Sequence, residues 1–75
     1  MDKQAWVWEV FKQNEVEYVS SDNLYLCHVT GLSAACVWDA SRHKAIHKLY
    51  VMLHQLSHQL ELLPDPKTLH ENVAR

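Results

Sequence analysis

The feature that most constrains the fold is the run Ala34 to Leu63, which contains neither glycine nor proline. Its apolar residues recur at the spacing that gathers them on one side of a helix: Ala35, Trp38, Ala45, Ile46, Leu49, Met52, Leu53, Leu56, Leu60 and Leu63. Ser33 suits the N-cap position, and Pro64 suits the end because the residue before a proline avoids helical geometry. The run therefore predicts one long amphipathic helix, about 45 Å long at ~1.5 Å per residue.

The N-terminal segment predicts a first, shorter helix. Asp2 can cap it, and Asn14 suits the left-handed position that closes a helix. The residues that share one helical face are Trp6, Val7, Val10 and Phe11. A strand over residues 6–11 is the alternative, since tryptophan, valine and phenylalanine favour strands. On a helix, Trp6 and Trp8 point about 200° apart, so one tryptophan is predicted at an edge or an interface.

Two runs of β-branched and aromatic residues, 15–20 and 24–29, flank a turn-forming connection at residues 21–23. Together they predict an antiparallel β-hairpin. A hairpin alone is only marginally stable, so it needs helices across its face. After the long helix, Asp65 and Pro66 suit the N-cap and first position of a short terminal helix, with Leu69 and Val73 placed to pack back.

These elements predict an α+β fold, in which a helix, a β-hairpin, a long amphipathic helix and a short C-terminal helix form a single small domain over residues 1–75. A chain of this length buries only about 60% of the surface that its unfolded form exposes, so its core is thin. The apolar stripe is longer than the first helix and the hairpin can cover. A second copy of the chain, or another protein, is therefore expected to pack against residues 52–63.

The remaining sequence features favour a soluble, cytoplasmic protein. Residues 1–10 lack the basic and apolar regions of a signal peptide. The apolar run at residues 49–53 is far too short to cross a membrane, so no membrane association is expected. Cys27 and Cys36 form neither a CxxC pair nor a disulfide framework and are interpreted as reduced thiols.

Four of the six histidines follow one side of the predicted long helix: His43, His47, His54 and His58. On a helical wheel they fall within an arc of about 60° opposite the leucines, and Cys36 falls in the same arc. Three interpretations of this side stay open. We favour a solvated helix face, because an amphipathic helix is polar there in any case.

The other two interpretations involve a ligand. The pairs His43/His47 and His54/His58 are spaced i, i+4, so each could hold a metal ion, with Asp39 or Glu61 as a third ligand. Alternatively, Arg42, Lys44 and Lys48 would face an anion, because residues 40–60 contain no acid. The histidines would then add positive charge below pH ~6.5.

No motif predicts catalysis. Cys27 and His28 are adjacent on a strand and point to opposite faces, so they cannot form a nucleophile–base pair. With Gly31 as the single glycine, the chain has no phosphate-binding loop and no dinucleotide fingerprint. Neither histidine pair has a glutamate after its first histidine, so a zinc-protease motif is absent. We expect no enzyme activity, no cofactor and no small-molecule substrate.

The predicted function is therefore that of a non-catalytic interaction or regulatory module, which acts through protein–protein contacts of its long helix and forms a homodimer. Apolar and aromatic residues occupy the centres of such contacts, and the interface candidates are Trp8, Tyr50, Val51, Leu56 and Leu60. The alternative is an accessory protein whose basic and histidine side faces an anion or nucleic acid. Nucleic acid is the less favoured partner because the net charge is −2. A histidine-rich metal-binding protein is the second alternative.

Overall fold

The computed structural model describes the backbone of residues 1–73 and the side chains of residues 1–69. It is an α+β fold in which a helix, a small antiparallel sheet, a longer helix and a C-terminal helix follow one another, as predicted. The elements are α1 (Lys3–Phe11), β1 (Glu15–Val19), β2 (Leu24–Val29), β3 (Leu32–Asp39), α2 (Arg42–Leu56), a 3-10 segment (Ser57–Leu62) and α3 (Pro66–Val73).

Helix α1 begins at the predicted cap, because the Asp2 carboxylate accepts a hydrogen bond from the Ala5 N–H at 2.7 Å. Its inner side buries Trp6, whereas Trp8 is 53% exposed. The helix and the split of the two tryptophans are therefore confirmed, and the alternative strand is wrong. The predicted left-handed closure at Asn14 is also wrong, since Asn23 is the non-glycine residue with positive φ within residues 1–73.

The predicted hairpin is confirmed and is extended by a third strand. The sheet has the order β1-β2-β3, and both pairs are antiparallel. Asn23, at φ +54°, closes the first connection. The second connection is the two-residue turn Thr30-Gly31, where glycine takes φ +91°. Glycine suits that position because it reaches positive φ without a steric penalty.

The predicted start of the long helix is wrong, because residues 32–39 form strand β3. In this strand Ala35 and Val37 are buried while Cys36 and Trp38 are exposed, which is the two-residue period of a half-buried strand. Ser33 therefore caps no helix. Ser41 is the N-cap of α2 instead, and its hydroxyl accepts a hydrogen bond from the Lys44 N–H at 3.3 Å.

The predicted end of the long helix is also wrong, because α2 stops at Leu56 after 15 residues. The buried Ser57 hydroxyl donates a hydrogen bond to the His54 carbonyl at 2.6 Å, and such back-bonding competes with the helical ladder. The 3-10 segment follows, with a kink at Gln59. Helix α2 is therefore about 22 Å long at ~1.5 Å per residue, half of the predicted length.

The core lies between the inner face of the sheet and the helices. Leu49 and Leu53 of α2 are fully buried there, together with the inner residues of α1, β2 and β3. Leu69 of α3 is also fully buried, as predicted, whereas Val73 lies outside the residues whose side chains are described. The Trp6 indole N–H donates to the Pro64 carbonyl at 3.0 Å and ties the C-terminal segment to α1.

The start of α3 is confirmed at Pro66. The Asp65 carboxylate accepts from the Lys67 N–H at 2.9 Å, which is the predicted cap. Within residues 1–73, each helix is too short or too polar to cross a bilayer.

Candidate interaction surface

The exposed side of α2 carries a ridge with a shallow groove on each flank. His47 lies on the ridge and lines both grooves. The first groove, of about 210 Å³, faces α1 and is lined by Phe11, Ile46 and Tyr50 along with the histidines. The second, of about 310 Å³, faces β3. We call the second one the β3 groove.

The β3 groove is the more apolar opening on this side of α2. Val37 of β3 and Val51 and Met52 of α2 line it, with Lys48 and Gln55 at the rim. Val51 is 41% exposed, an unusual position for a β-branched apolar residue in the middle of a helix. Because β3 is an edge strand, the groove lies where the sheet ends and no further strand follows within residues 1–73.

On the other flank of α2, four ring side chains form a continuous row across α1 and α2. Trp8 lies next to Phe11, with ring centroids 6.3 Å apart. Phe11 meets Tyr50 edge-on at 5.1 Å, and Tyr50 meets His54 edge-on at 4.7 Å. Such edge-to-face pairs stabilise a fold by more than the burial of their apolar area alone. The row, Trp8–Phe11–Tyr50–His54, is here called the aromatic row.

The five interface candidates from the sequence are distributed over three places. Trp8 and Tyr50 belong to the aromatic row, and Val51 belongs to the β3 groove. Leu56 and Leu60 are half-buried and pack against the core. The kink after α2 turns Leu60 out of the helical line on which the prediction placed it.

The N-terminal half of α2 gathers the predicted anion-facing residues. Arg42, Lys44 and Lys48 are all exposed, and a groove of about 450 Å³ beside them is lined by Asp39, His43, Lys44, His47 and Lys48. Arg42 and Lys44 form no ion pair with any side chain within residues 1–69. The Ser41 cap therefore opens a helix whose first turn carries positive charge and no acid.

Unlike Arg42 and Lys44, Lys48 forms an ion pair. Its Nζ lies 2.8 Å from Asp39 Oδ2 and donates to the Trp38 carbonyl at 3.1 Å. The hydrogen bond from Lys48, followed by one from the Ser41 N–H, lowers the pKa of the Asp39 carboxyl below its usual value. Asp39 is therefore held ionised beside Lys48. Lys44 is the other fixed cation that lines this groove, and Arg42 is exposed at the start of α2; neither is in an ion pair within residues 1–69.

The predicted metal ligands are only partly together: His43, His47 and Asp39 line the same groove at the start of α2, whereas His54 and His58 lie elsewhere. His43 and His47 are exposed on the ridge, His54 is half-buried in the aromatic row, and His58 lies in the 3-10 segment beyond the end of α2. Cys36 lies on β3 rather than among the histidines. Among the described side chains, no group of three or more histidine, cysteine or acidic residues is placed to hold a metal ion.

The two cysteines differ in accessibility. Cys27 is fully buried, and burial raises the pKa of its thiol, which disfavours the reactive thiolate. Neighbouring His28 lies on the opposite face of β2, as predicted, with Nε2 3.8 Å from carboxylate oxygens of Glu15 and Glu17. Cys36 is exposed, and neither cysteine forms a disulfide.

The sequence prediction missed the outer face of the sheet, which lies opposite α2. Its apolar residues are Val19 of β1, Leu24 and Leu26 of β2, and Ala34, Cys36 and Trp38 of β3. Glu15, Glu17 and His28 share this face, here called the outer sheet face. The sequence shows no polar/apolar alternation there, because residues 34–38 are all apolar; the alternation is one of burial in the folded strand.

Models of known protein families, curated proteins and solved structures were each compared with the chain, and none matched it.

Proposed function

We propose that the chain is a non-catalytic protein-interaction module that forms a homodimer through the exposed side of α2. The observation that carries this proposal is the β3 groove, in which Val37, Val51 and Met52 form an open apolar lining beside an edge strand. These three apolar residues are contiguous, and a contiguous apolar opening marks an interaction site whereas a single exposed residue does not.

A second copy is a suitable occupant because the centre of this surface carries no unpaired charge. The ridge and groove present His47, Val51 and Gln55 on successive turns, and the one fixed cation, Lys48, is paired with Asp39. Charged residues are depleted at the centres of protein interfaces, so a centre without unpaired charge suits a contact between two copies. A two-fold contact would bury the same strip from both copies, with the aromatic row at its flank supplying larger anchors.

The experiment is light scattering on the purified chain over a range of concentrations. We expect a mass of about twice 8.8 kDa at high micromolar concentration, and a shift to 8.8 kDa in the variant Val51→Lys. Leu62→Lys is the matched control, because Leu62 is 76% exposed and lies outside the groove. A wild-type protein that stays at 8.8 kDa would overturn the homodimer.

The proposed location is the cytoplasm. Two unpaired cysteines, one of them exposed, support this location because reducing compartments keep such thiols free. Labelling of Cys36 by a thiol reagent in intact cells, compared with periplasmic or secreted fractions, tests it.

A second candidate function is contact with a polyanion such as nucleic acid, and the free Arg42 and Lys44 at the start of α2 are the observation that favours it. Binding to duplex DNA should then fall steeply between about 50 and 200 mM salt, because each neutralised phosphate releases counterions. The double variant Arg42→Gln/Lys44→Gln should abolish binding, whereas Lys3→Gln/Lys12→Gln on α1 removes the same charge elsewhere. Binding that is indifferent to salt would exclude this role.

A further inference from the structure

The outer sheet face is apolar at its centre, and within residues 1–69 the helices pack against the opposite face of the sheet. The residues of β2 that alternate with Leu24 and Leu26 are the ones that reach the core, such as Cys27 and Val29. Leu24 and Leu26 therefore point away from α2. No residue of this face belongs to the core cluster or packs against it.

The strand register places the apolar residues of this face side by side. Leu26 is paired with Trp38 of β3, and Leu24 is paired with Val19 of β1. Trp38, on the edge strand β3, is 43% exposed, so much of its large apolar ring is open to a partner. These four side chains form an apolar strip across all three strands.

The charge on this face has one sign. Glu15 and Glu17 point to it from β1, and their side chains are 66% and 61% exposed. His28 lies between them on β2, and no lysine or arginine belongs to the face. The His28 Nε2 lies 3.8 Å from both carboxylates, and the Thr30 hydroxyl donates to Glu15 at 3.3 Å. Within residues 1–69 no lysine or arginine pairs with either glutamate, so both remain available to a basic partner along one edge of the apolar strip.

We propose that the outer sheet face docks a basic amphipathic helix of a partner protein. The apolar side of that helix would cover Leu24, Leu26 and Trp38, and its lysine or arginine side chains would meet Glu15 and Glu17. Three strands at ~4.8 Å spacing make a face about 14 Å wide, which accommodates one helix of about 10–12 Å diameter. The surface is separate from the side of α2 proposed for dimerisation.

A second copy of the chain fits this face poorly. A two-fold contact between two outer sheet faces would offer the glutamates no lysine or arginine, because both copies present the same face. The face also covers only about 240 Å² at ~3.3 Å per residue along the strands, against about 800 Å² per partner in a stable complex. Because the face is small, we expect a single helix to bind it weakly and to depend on the charges of Glu15 and Glu17.

The experiment uses a synthetic peptide of about 18 residues, roughly five helical turns, built from leucine on one side and lysine on the other. Its binding to the full chain is measured by amide NMR shifts and by the indole N–H NMR signal of Trp38, which is separate from those of Trp6 and Trp8. We expect shifts at Leu24, Leu26 and Trp38, and no binding of the matched leucine–glutamate peptide. Shifts confined to α2 would overturn the proposal.

Charge reversal on the outer sheet face separates specific docking from general attraction. The variant Glu15→Lys/Glu17→Lys should weaken peptide binding about tenfold, because two favourable rim contacts become repulsive. Glu9→Lys/Glu61→Lys carries the same net charge and changes exposed or half-exposed acids outside this face, so it should bind within about twofold of wild type. Equal weakening in both double variants would overturn the proposal, because attraction would then depend on net charge alone.

Two further measurements address the apolar strip and the choice of partner. Bound peptide should slow alkylation of Cys36, the exposed thiol on this face, whereas buried Cys27 stays unreacted. Concentration-dependent NMR shifts at Leu26 and Trp38 without peptide would assign the face to a second copy and would overturn the helix partner. The homodimer proposed above can fail without affecting either result, since its own test changes Val51.

Discussion

Lys48 on the second turn of α2 forms an ion pair with Asp39, the last residue of β3, with 2.8 Å between Nζ and Oδ2. The same ammonium group donates to the Trp38 carbonyl at 3.1 Å. One side chain therefore joins the edge strand to the helix that follows it. The two connecting residues, Ala40 and Ser41, complete the junction, where the Ser41 N–H donates to Asp39 at 2.8 Å.

Asp39→Asn should make the stability of the fold less dependent on pH in the acidic range. The folded state lowers the pKa of Asp39 below its usual 3.8, so the ion pair stabilises the fold above that pH and is lost as pH falls through the folded-state pKa. We expect the variant to melt at a lower temperature than wild type at pH 7, with the difference disappearing in strong acid. Thermal melts from pH 7 to pH 2 measure this, and a difference that stays constant with pH would contradict it.

Leu53→Ala should destabilise the domain by about 2–5 kcal/mol, because it removes a fully buried side chain and leaves a cavity. Leu62→Ala is the control at an exposed leucine and should stay within ~0.5 kcal/mol of wild type. Urea unfolding followed by circular dichroism measures both. Similar losses in the two variants would mean that α2 does not provide the core contact described.

Gly31→Ala should cost about 1–2 kcal/mol, because the turn between β2 and β3 holds this residue at φ +91°. An added Cβ would also lie 3.2 Å from the Leu69 carbonyl oxygen, so α3 would have to move. Asn23→Gly is the matched control at the other positive-φ position and should be tolerated. Urea unfolding that found no loss in Gly31→Ala would argue against the close approach of α3.

Replacing His43, His47 and His58 by glutamine should change stability by no more than ~0.5 kcal/mol, since all three are exposed. His54→Gln should cost more, about 0.5–1.5 kcal/mol, because it removes the edge-on contact with Tyr50. Melting with and without zinc provides the control. A zinc-dependent rise in melting temperature that disappears below pH ~6 would instead support chelation.

Local signals were sufficient to predict several elements of this fold. The Asp2 and Asp65 caps, the hairpin of β1 and β2, and the opposite orientations of Trp6 and Trp8 all depend on residues close together in the chain. The helical and two-residue periods of apolar residues are short-range properties of the sequence, so they can be recognised without knowledge of the fold. The placement of His43 and His47 on the solvent side of a helix follows for the same reason.

The candidate surfaces were only partly predictable. Exposure of Trp8 follows from helical geometry within α1, but its neighbours Phe11 and Tyr50 come together only because α1 packs beside α2. The outer sheet face depends on strand pairing, which no local pattern between residues 34 and 39 specified. Residues 34–38 are all apolar and acceptable to a helix, so their sequence shows no two-residue period, which appears only in the burial of the folded strand.

The sequence by itself determined where the first helix, the first hairpin and the caps form, because these depend on side-chain chemistry and spacing along the chain. Tertiary structure decided that residues 32–39 pair with β2, since the hydrogen-bonding groups of that strand need a partner, which β3 supplies. Tertiary structure also decided which apolar residues reach the core and which remain on the surface, because the sheet and the other helices pack against only one side of α2.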